Sequence, residues 1–133
     1  FIPIVMGMGG NIATQSSTII VRGIATGRVN MNELFKVVFK EFRVGLLLGC
    51  VYGIFLGLVS FLLHRDPTML GAVVGLSIFF IMAMSATLGT IIPLVLKRFG
   101  FDAAIATGPF VTTAIDIIGV MMYFYTAKLI LGL

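Results

Sequence analysis

Four long runs of the sequence are almost free of charged side chains, and this feature limits the chain to one broad class of protein. The runs cover residues 1–21, 44–63, 67–96 and 103–127, and together they hold a single charge, Asp116. Each run reaches the length of about 20 residues that an α-helix needs to cross the hydrocarbon of a bilayer. Composition agrees, because 59% of the residues are hydrophobic and only 11% are charged, too few to cover a soluble fold. We therefore predict an all-α membrane protein, a polytopic helical bundle.

We expect one transmembrane domain over residues 1–133, with four spans at about residues 1–25, 44–63, 68–96 and 103–128. The connection 26–43 is more than a linker. From Asn32 to Arg43 apolar side chains recur at helical spacing, and the charged ones, Glu41 among them, fall mostly on the opposite face. This pattern predicts an amphipathic helix at the membrane surface, whose apolar face either packs on the bundle or contacts lipid.

The basic residues predict an orientation. The first connection and the third carry seven of them, namely Arg22, Arg28, Lys36, Lys40, Arg43, Lys97 and Arg98. The second connection and the C-terminal end carry one each, Arg65 and Lys128. By the positive-inside rule the first and third connections are cytoplasmic, so the start and the C-terminus of this chain both face outward. If the complete protein starts in the cytoplasm, an odd number of spans, most simply one, precedes Phe1.

Several functions do not fit the pattern. The basic residues lie at the ends of apolar runs and form no patch interleaved with aromatic residues, which argues against nucleic acid as a partner. Cys50 is the only cysteine and lies within an apolar run, where a thiol usually packs as a small inert group. No nucleophile with a base, no cluster of metal ligands and no phosphate-binding loop occurs in a credible context, so we do not expect an enzyme.

Glycines recur every four residues along the second span and form one helical face, the glycine stripe. The stripe consists of Gly45, Gly49, Gly53 and Gly57. Small residues at this spacing allow another helix backbone to approach closely in lipid, so we assign the stripe to helix packing rather than to a functional site.

The first span combines glycines with amide and hydroxyl side chains. Asn11 and Gln15 lie one turn apart on one face, and Ser16, Ser17 and Thr18 follow. Such a density of polar groups does not face lipid, so this face is directed at other helices or at water. The alternative for the hydroxyl groups is that they bond to their own helix or join neighbouring helices.

Asp116 lies near the middle of the fourth run. An ionised carboxylate at that depth costs roughly 2.5 to 3.5 kcal/mol on insertion scales, and no Lys, Arg or His lies in the four runs to balance it. The carboxyl is therefore protonated, or faces a solvated cation in a water-filled path, or alternates between these states. A neutral carboxyl that is hydrogen-bonded to a neighbour is the purely structural alternative.

Two carboxylates would balance a divalent cation, and a two-fold axis beside Asp116 would bring the second one from another copy of the chain. We therefore predict a homodimer with a pore on its axis and Asp116 as the metal-binding residue. Thr112 and Gly108 lie one and two turns before Asp116 and would line the pore, together with Asn11 and Gln15. Such groups suit Mg²⁺, because Mg²⁺ keeps several of its water molecules and can be held through them.

At these residues the sequence resembles the transmembrane domain of the MgtE family of magnesium channels. The shared elements are P-I-V-M-G-M-G-G-N-I-A-T-Q-S, I-V-R-G-I-A-T-G-R-V, F-K-E-F-R-V-G-L-L-L-G and D-I-I-G-V-M-M-Y. The resemblance implies a homodimer of five-span subunits with a pore lined by the second and fifth spans, the first span being absent from this chain. It also implies that the carboxylate matching Asp116 recognises Mg²⁺. The family's cytoplasmic regulatory domains lie outside these residues, and whether such partners precede Phe1 stays open.

The sequence departs from the family at two positions. Family members commonly have Asn where this chain has Gly108 and Ala where it has Thr112. The choice between Mg²⁺ and the alternative cargoes Mn²⁺ and Co²⁺ therefore stays open. We predict a magnesium channel or transporter of the cell membrane. The alternatives are a proton-coupled carrier that uses protonation of Asp116, and a non-conducting assembly domain built on the glycine stripe.

Overall fold

The computed structural model describes residues 1–63 and 69–132, and within these ranges the chain is helical and contains no strand. The four long helices are α1 (Ile2–Ala25), α2 (Leu34–Leu63), α3 (Met69–Arg98) and α4 (Pro109–Leu131). Short 3-10 turns, Met31–Glu33 and Ala103–Ala106, precede α2 and α4. The second connection, which contains Arg65, lies outside the described residues.

Three of the described helices, α2, α3 and α4, are long and apolar enough to cross a membrane. The helix α1 has 24 residues and is about 36 Å long at 1.5 Å per residue, which matches a bilayer core of about 30 Å. Its amide and hydroxyl side chains make it less apolar than the other three helices. Of the four expected spans, α1 is thus the one that composition alone does not support.

The amphipathic segment does not form a helix of its own, which differs from the prediction. From Leu34 it is the first part of α2 and continues into the second apolar run as one helix. Neither Pro nor Gly occurs from Leu34 to Val44, so nothing in this stretch ends a helix that has begun. Glu41 is buried rather than on a polar face, whereas Phe35 and Phe39 are exposed, with ring centroids 6.3 Å apart.

The helix α3 is at the centre of the bundle. It packs against α1, α2 and α4, and α1 also packs against α4. In α3 50% of the most apolar stretch is buried, compared with 17% in α2 and in α4. One core cluster joins Val5 of α1 to Val74, Ile78, Ile81 and Met82 of α3. The position of α3 therefore sets the positions of the other three helices.

The glycine stripe of α2 lies against the backbone of α3. A Cβ added at Gly49 would lie 2.7 Å from the carbonyl oxygen of Phe79. A Cβ at Gly53 would lie equally close, 2.7 Å, to the carbonyl oxygen of Gly75. Because these neighbours are backbone atoms, there is no room for a methyl group. Helix association in lipid depends on such van der Waals contacts, so the stripe brings the two backbones together.

The helix α1 approaches α3 in the same manner near its middle. A Cβ added at Gly89 of α3 would lie 2.9 Å from Cα of Ala13. On its other side Ala13 belongs to a second core cluster, in which it joins Val111 and Ile115 of α4. The middle of α1 is therefore held between α3 and α4.

We expect Gly53→Ala to destabilise the fold by about 1 to 3 kcal/mol, because the new methyl group would lie 2.7 Å from the carbonyl oxygen of Gly75. The matched control is Gly7→Ala in α1, where nothing lies within 4 Å of the added Cβ. The control should be neutral or stabilising, since alanine favours helix more than glycine does. Thermal unfolding in detergent measures both variants. Equal stability of the two would contradict the close contact between α2 and α3.

Candidate functional site

Asp116 lies two turns into α4, and its half-buried side chain is next to α1. A Cβ added at Gly10 would lie 3.6 Å from the carboxylate Oδ1 and 3.4 Å from Cγ2 of Thr112. The backbone of α1 at Gly10 is therefore one wall of the space around the carboxylate. Among the described residues Asp116 has no hydrogen-bond or ion-pair partner. The carboxylate is thus close to a helix backbone but is not neutralised within one copy of the chain.

Gly9 explains why α1 lies so close to the carboxylate. A Cβ at Gly9 would lie 2.9 Å from Cγ2 of Ile81 in α3 and 3.2 Å from Cγ2 of Ile115 in α4. The two adjacent glycines therefore let α1 contact both neighbouring helices at one level. The helix continues through them without a break.

Thr112 turns its polar and apolar atoms in different directions. Its hydroxyl lies 3.1 Å from the carbonyl oxygens of Gly108 and Pro109 and donates to this pair, while its Cγ2 is the atom nearest to Gly10. The hydroxyl hydrogen is thus used within α4, as is common for threonine in helices. Only the lone pairs of the oxygen are left to contact a hydrated ion.

Gly108 lies outside α4, so it does not share a helical face with Asp116 as the spacing predicted. It is the residue that caps the helix, with φ 65° and ψ −133°, a conformation open essentially to glycine alone. Pro109 follows as the first helical residue, and a residue before proline is kept out of the helical conformation. At this position the chain has only backbone groups, and an asparagine here would be strained.

Asn11 and Gln15 are exposed on α1. Thr18, also exposed, extends them by one turn, and we call these three residues the polar stripe. Gln15 and Thr18 line a shallow cavity of about 380 Å³. Neither Asn11 nor Gln15 forms a hydrogen bond with Asp116 in the described part of the chain. The sequence places Asn11 directly after Gly10, the residue that lies beside the carboxylate.

The residues that the structure describes do not form a cage for a bare metal ion. Within residues 1–63 and 69–132 no group of three or more His, Cys, Asp and Glu residues could hold a metal. Cys50 is exposed on α2. One copy of the chain therefore offers a single carboxylate at Asp116, which suits contact with an ion that keeps its water.

Two adjacent serines of α1 connect it to other elements. Ser16 Oγ donates to Oε2 of Glu41 in α2 at 3.1 Å. Ser17 Oγ donates to the carbonyl oxygen of Ala106, just before α4. These hydroxyl groups therefore join α1 to other elements, one of the two alternatives that the sequence left open for them.

Glu41 is the residue of this region that the sequence pattern assigned to the wrong face. Its side chain is only 8% exposed and receives the hydrogen bond from Ser16. One signal could have identified it, because Glu41 lies one turn before Gly45 and so continues the glycine stripe. A carboxylate on a face that packs against other helices is expected to be buried.

Comparison with known proteins identifies the family. A family model described as MgtE, divalent cation transporter, matches residues 2–126. The magnesium transporter MgtE of Bacillus subtilis (strain 168) is 36% identical over 124 residues, which are 93% of this chain and 27% of that protein. The magnesium transporter MgtE of Thermus thermophilus is 36% identical over 131 residues, 98% of this chain and 29% of that protein.

A third relative, the magnesium transporter MgtE of Enterococcus faecalis, is 32% identical over 130 residues, 97% of this chain and 28% of that protein. The chain thus spans less than a third of the length of each of these relatives. The resemblance seen in the sequence is confirmed at the level of the family. Together with the apolar helices it shows a multi-pass membrane protein.

We expect Glu41→Ala to destabilise the protein by about 1 to 3 kcal/mol, because it leaves the Ser16 hydroxyl without its acceptor inside the bundle. Glu41→Gln keeps an acceptor oxygen and should cost less. Ser16→Ala combined with Glu41→Ala should cost less than the sum of the single changes, since both remove the same contact. Thermal unfolding in detergent measures the stability of the three single variants and the double variant. If the loss in the double variant equals the sum of the losses in Ser16→Ala and Glu41→Ala, the hydrogen bond is contradicted.

Proposed function

Because this chain belongs to the MgtE family of divalent cation transporters, we propose that it forms a pore for hydrated Mg²⁺ in the cell membrane. The observation that carries the proposal is the state of Asp116, a half-buried carboxylate with no partner within the described part of its own chain. Ionisable residues within membrane helices are rare, and by default they mark a path for ions or protons.

The charge of the ion and the exposed polar stripe support a homodimer. Mg²⁺ carries two positive charges, and one copy of the chain supplies one carboxylate at this site. Lipid cannot satisfy the amide groups of Asn11 and Gln15, which are exposed on the single copy. A second copy related by a two-fold axis would cover the polar stripe and add the second Asp116. We propose this arrangement as the conducting unit.

The ion would be held mainly through its water molecules. Mg²⁺ loses water reluctantly and demands near-octahedral geometry. The absence of a side chain at Gly10 leaves space beside Asp116, and the amide oxygens of Asn11 and Gln15 would accept hydrogen bonds from the coordinated water. We propose Mg²⁺ as the cargo because the relatives are named magnesium transporters, with Mn²⁺ and Co²⁺ as competitors to be tested.

The proposed orientation has the first and third connections in the cytoplasm and both ends of this chain outside. A cavity lined by Leu34, Val38 and Arg98 supports it, because it joins the beginning of α2 to the end of α3. The basic residues of both connections thus lie at one end of the bundle. A single basic end is what the positive-inside rule expects at the cytoplasmic surface.

We expect Asp116→Asn to reduce Mg²⁺ flux into proteoliposomes by at least about tenfold, which corresponds to about 1.4 kcal/mol of lost ion stabilisation. The change keeps the shape of the side chain and removes two charges from a dimer. Glu33→Gln is the control, because its exposed carboxylate pairs with Lys36 at the surface. Unchanged flux in Asp116→Asn, with both proteins folded, would contradict the pore proposal and favour an assembly domain.

A proton-coupled carrier is the second candidate, favoured by the same unpaired carboxylate. In a carrier Asp116 would release its proton when the ion binds. Flux driven by membrane voltage and unaffected by collapse of the pH gradient supports the channel. Strict dependence on the pH gradient supports the carrier instead.

The dimer has its own test. In a Cys50→Ser background, Gln15→Cys should form a disulfide between two copies, because we propose that the polar stripes face each other across the axis. Val51→Cys is the control, since Val51 is 63% exposed on α2, away from the polar stripe. Gel mobility without reductant distinguishes the cross-linked dimer. Cross-linking through position 51 but not through position 15 would contradict the proposed axis.

A further inference from the structure

A basic cavity lies where α1 ends and α2 begins. It has a volume of about 600 Å³, and its charged lining residues are Arg22, Arg28 and Lys40. No acidic side chain of the described residues lines it. The cavity is separate from the proposed ion site, because Arg22 lies 12 residues beyond Gly10 on α1, about 18 Å at 1.5 Å per residue.

The fold builds this cavity from the end of α1. The hydroxyl of Thr26 donates to the carbonyl oxygen of Arg22 at 2.9 Å, and Gly27 turns the chain with φ 70°. The backbone N–H groups of Arg28 and Val29 then both donate to the carbonyl oxygen of Gly23, at 2.9 and 3.1 Å. These hydrogen bonds fold the chain back, so that Arg28 lies beside Arg22 at the last turn of α1.

A second cavity of about 350 Å³ adjoins the first and shares Lys40 with it. Lys36 and Arg43 line this second cavity. Lys36 has a surface partner in Glu33, but the acid nearest in sequence to Lys40, Glu41, is bonded to Ser16. The two cavities therefore form a groove whose positive charge exceeds the negative charge around it.

Apolar side chains continue the groove toward the middle of the helices. Ile19, which is 59% exposed, lines the basic cavity one turn inward from Arg22. Leu47, which is 68% exposed, lines the second cavity one turn inward from Arg43. A ligand that matches this pattern has an anionic head and an apolar tail.

We propose that this groove binds an anionic phospholipid of the adjoining leaflet. The phosphate lies in the basic cavity, where the planar guanidinium groups of Arg22 and Arg28 can donate paired hydrogen bonds and Lys40 adds a third positive charge. The acyl chains lie along Ile19 and Leu47. Basic groups beside membrane helices attract anionic lipids in this way. The inference goes beyond the proposed ion pore and does not depend on it.

The test measures lipid binding to the full chain in detergent by native mass spectrometry. The probes are dioctanoyl phosphatidylglycerol, dioctanoyl phosphatidylcholine and inorganic phosphate. We expect the phosphatidylglycerol complex to dominate in the wild type. Arg28→Gln and Lys40→Gln should each weaken binding of phosphatidylglycerol roughly fivefold, and the double variant roughly 25-fold, because each change removes about one charge contact with the lipid. Both positions are exposed, and a melting temperature checks that the variants stay folded.

Lys97→Gln is the matched control, because Lys97 is a basic residue in the last turn of α3 that lines neither cavity. It should leave binding unchanged. An equal loss in Lys97→Gln would show diffuse attraction and overturn the site. Binding that is unchanged in the double variant would overturn it as well. Displacement of the lipid by inorganic phosphate at equal concentration would show a site for free anions and overturn the lipid assignment.

Discussion

Close contact between helix backbones is the constraint on which the rest of this structure depends. Helices in lipid gain little from apolar burial against each other, so van der Waals contact must hold them together. The α2–α3 contact uses Gly53 and Gly75, and the α1–α3 contact uses Gly89 and Ala13. Because α3 contacts the other three helices, these small residues also help to position α1, whose Gly10 lies beside Asp116.

Two carboxylates of the described residues lie inside the bundle, and their surroundings differ. Glu41 is almost fully buried and bonded to Ser16, so it joins α1 to α2. Asp116 is half-buried, lies beside the bare backbone of Gly10, and has no partner in the described residues. A buried acid that is satisfied serves the fold, whereas one left without a partner is available to a ligand. This contrast is the physical reason for proposing ion binding at Asp116 and not at Glu41.

The two groups of charged residues on which the proposals depend lie at different levels of the bundle. The carboxylate of Asp116 lies among apolar helices, and the basic side chains Arg22, Arg28 and Lys40 lie around the turn between α1 and α2. The turn depends on Gly27 and on hydrogen bonds to the carbonyl of Gly23. A proposed cation site and a proposed site for anionic lipid thus coexist on α1, separated by three helical turns.

Much of the fold and the identity of the candidate ion ligand follow from the sequence by itself. The long uncharged runs predicted the helical class, the glycine at every fourth residue defined the glycine stripe, and the one acid within those runs singled out Asp116. All three features are local properties of the sequence. The break before α4 could also have been read from Gly108 and Pro109, because proline restricts the residue before it.

Only the tertiary structure decided which side of each helix is covered. Periodicity defines faces but not their neighbours, so Glu41 was assigned to a polar surface although its partner, Ser16, lies 25 residues away. The same holds for the wall beside Asp116, which belongs to Gly10 on another helix. Contacts of this kind depend on how helices distant in sequence pack together, and no local pattern in either helix contains that information.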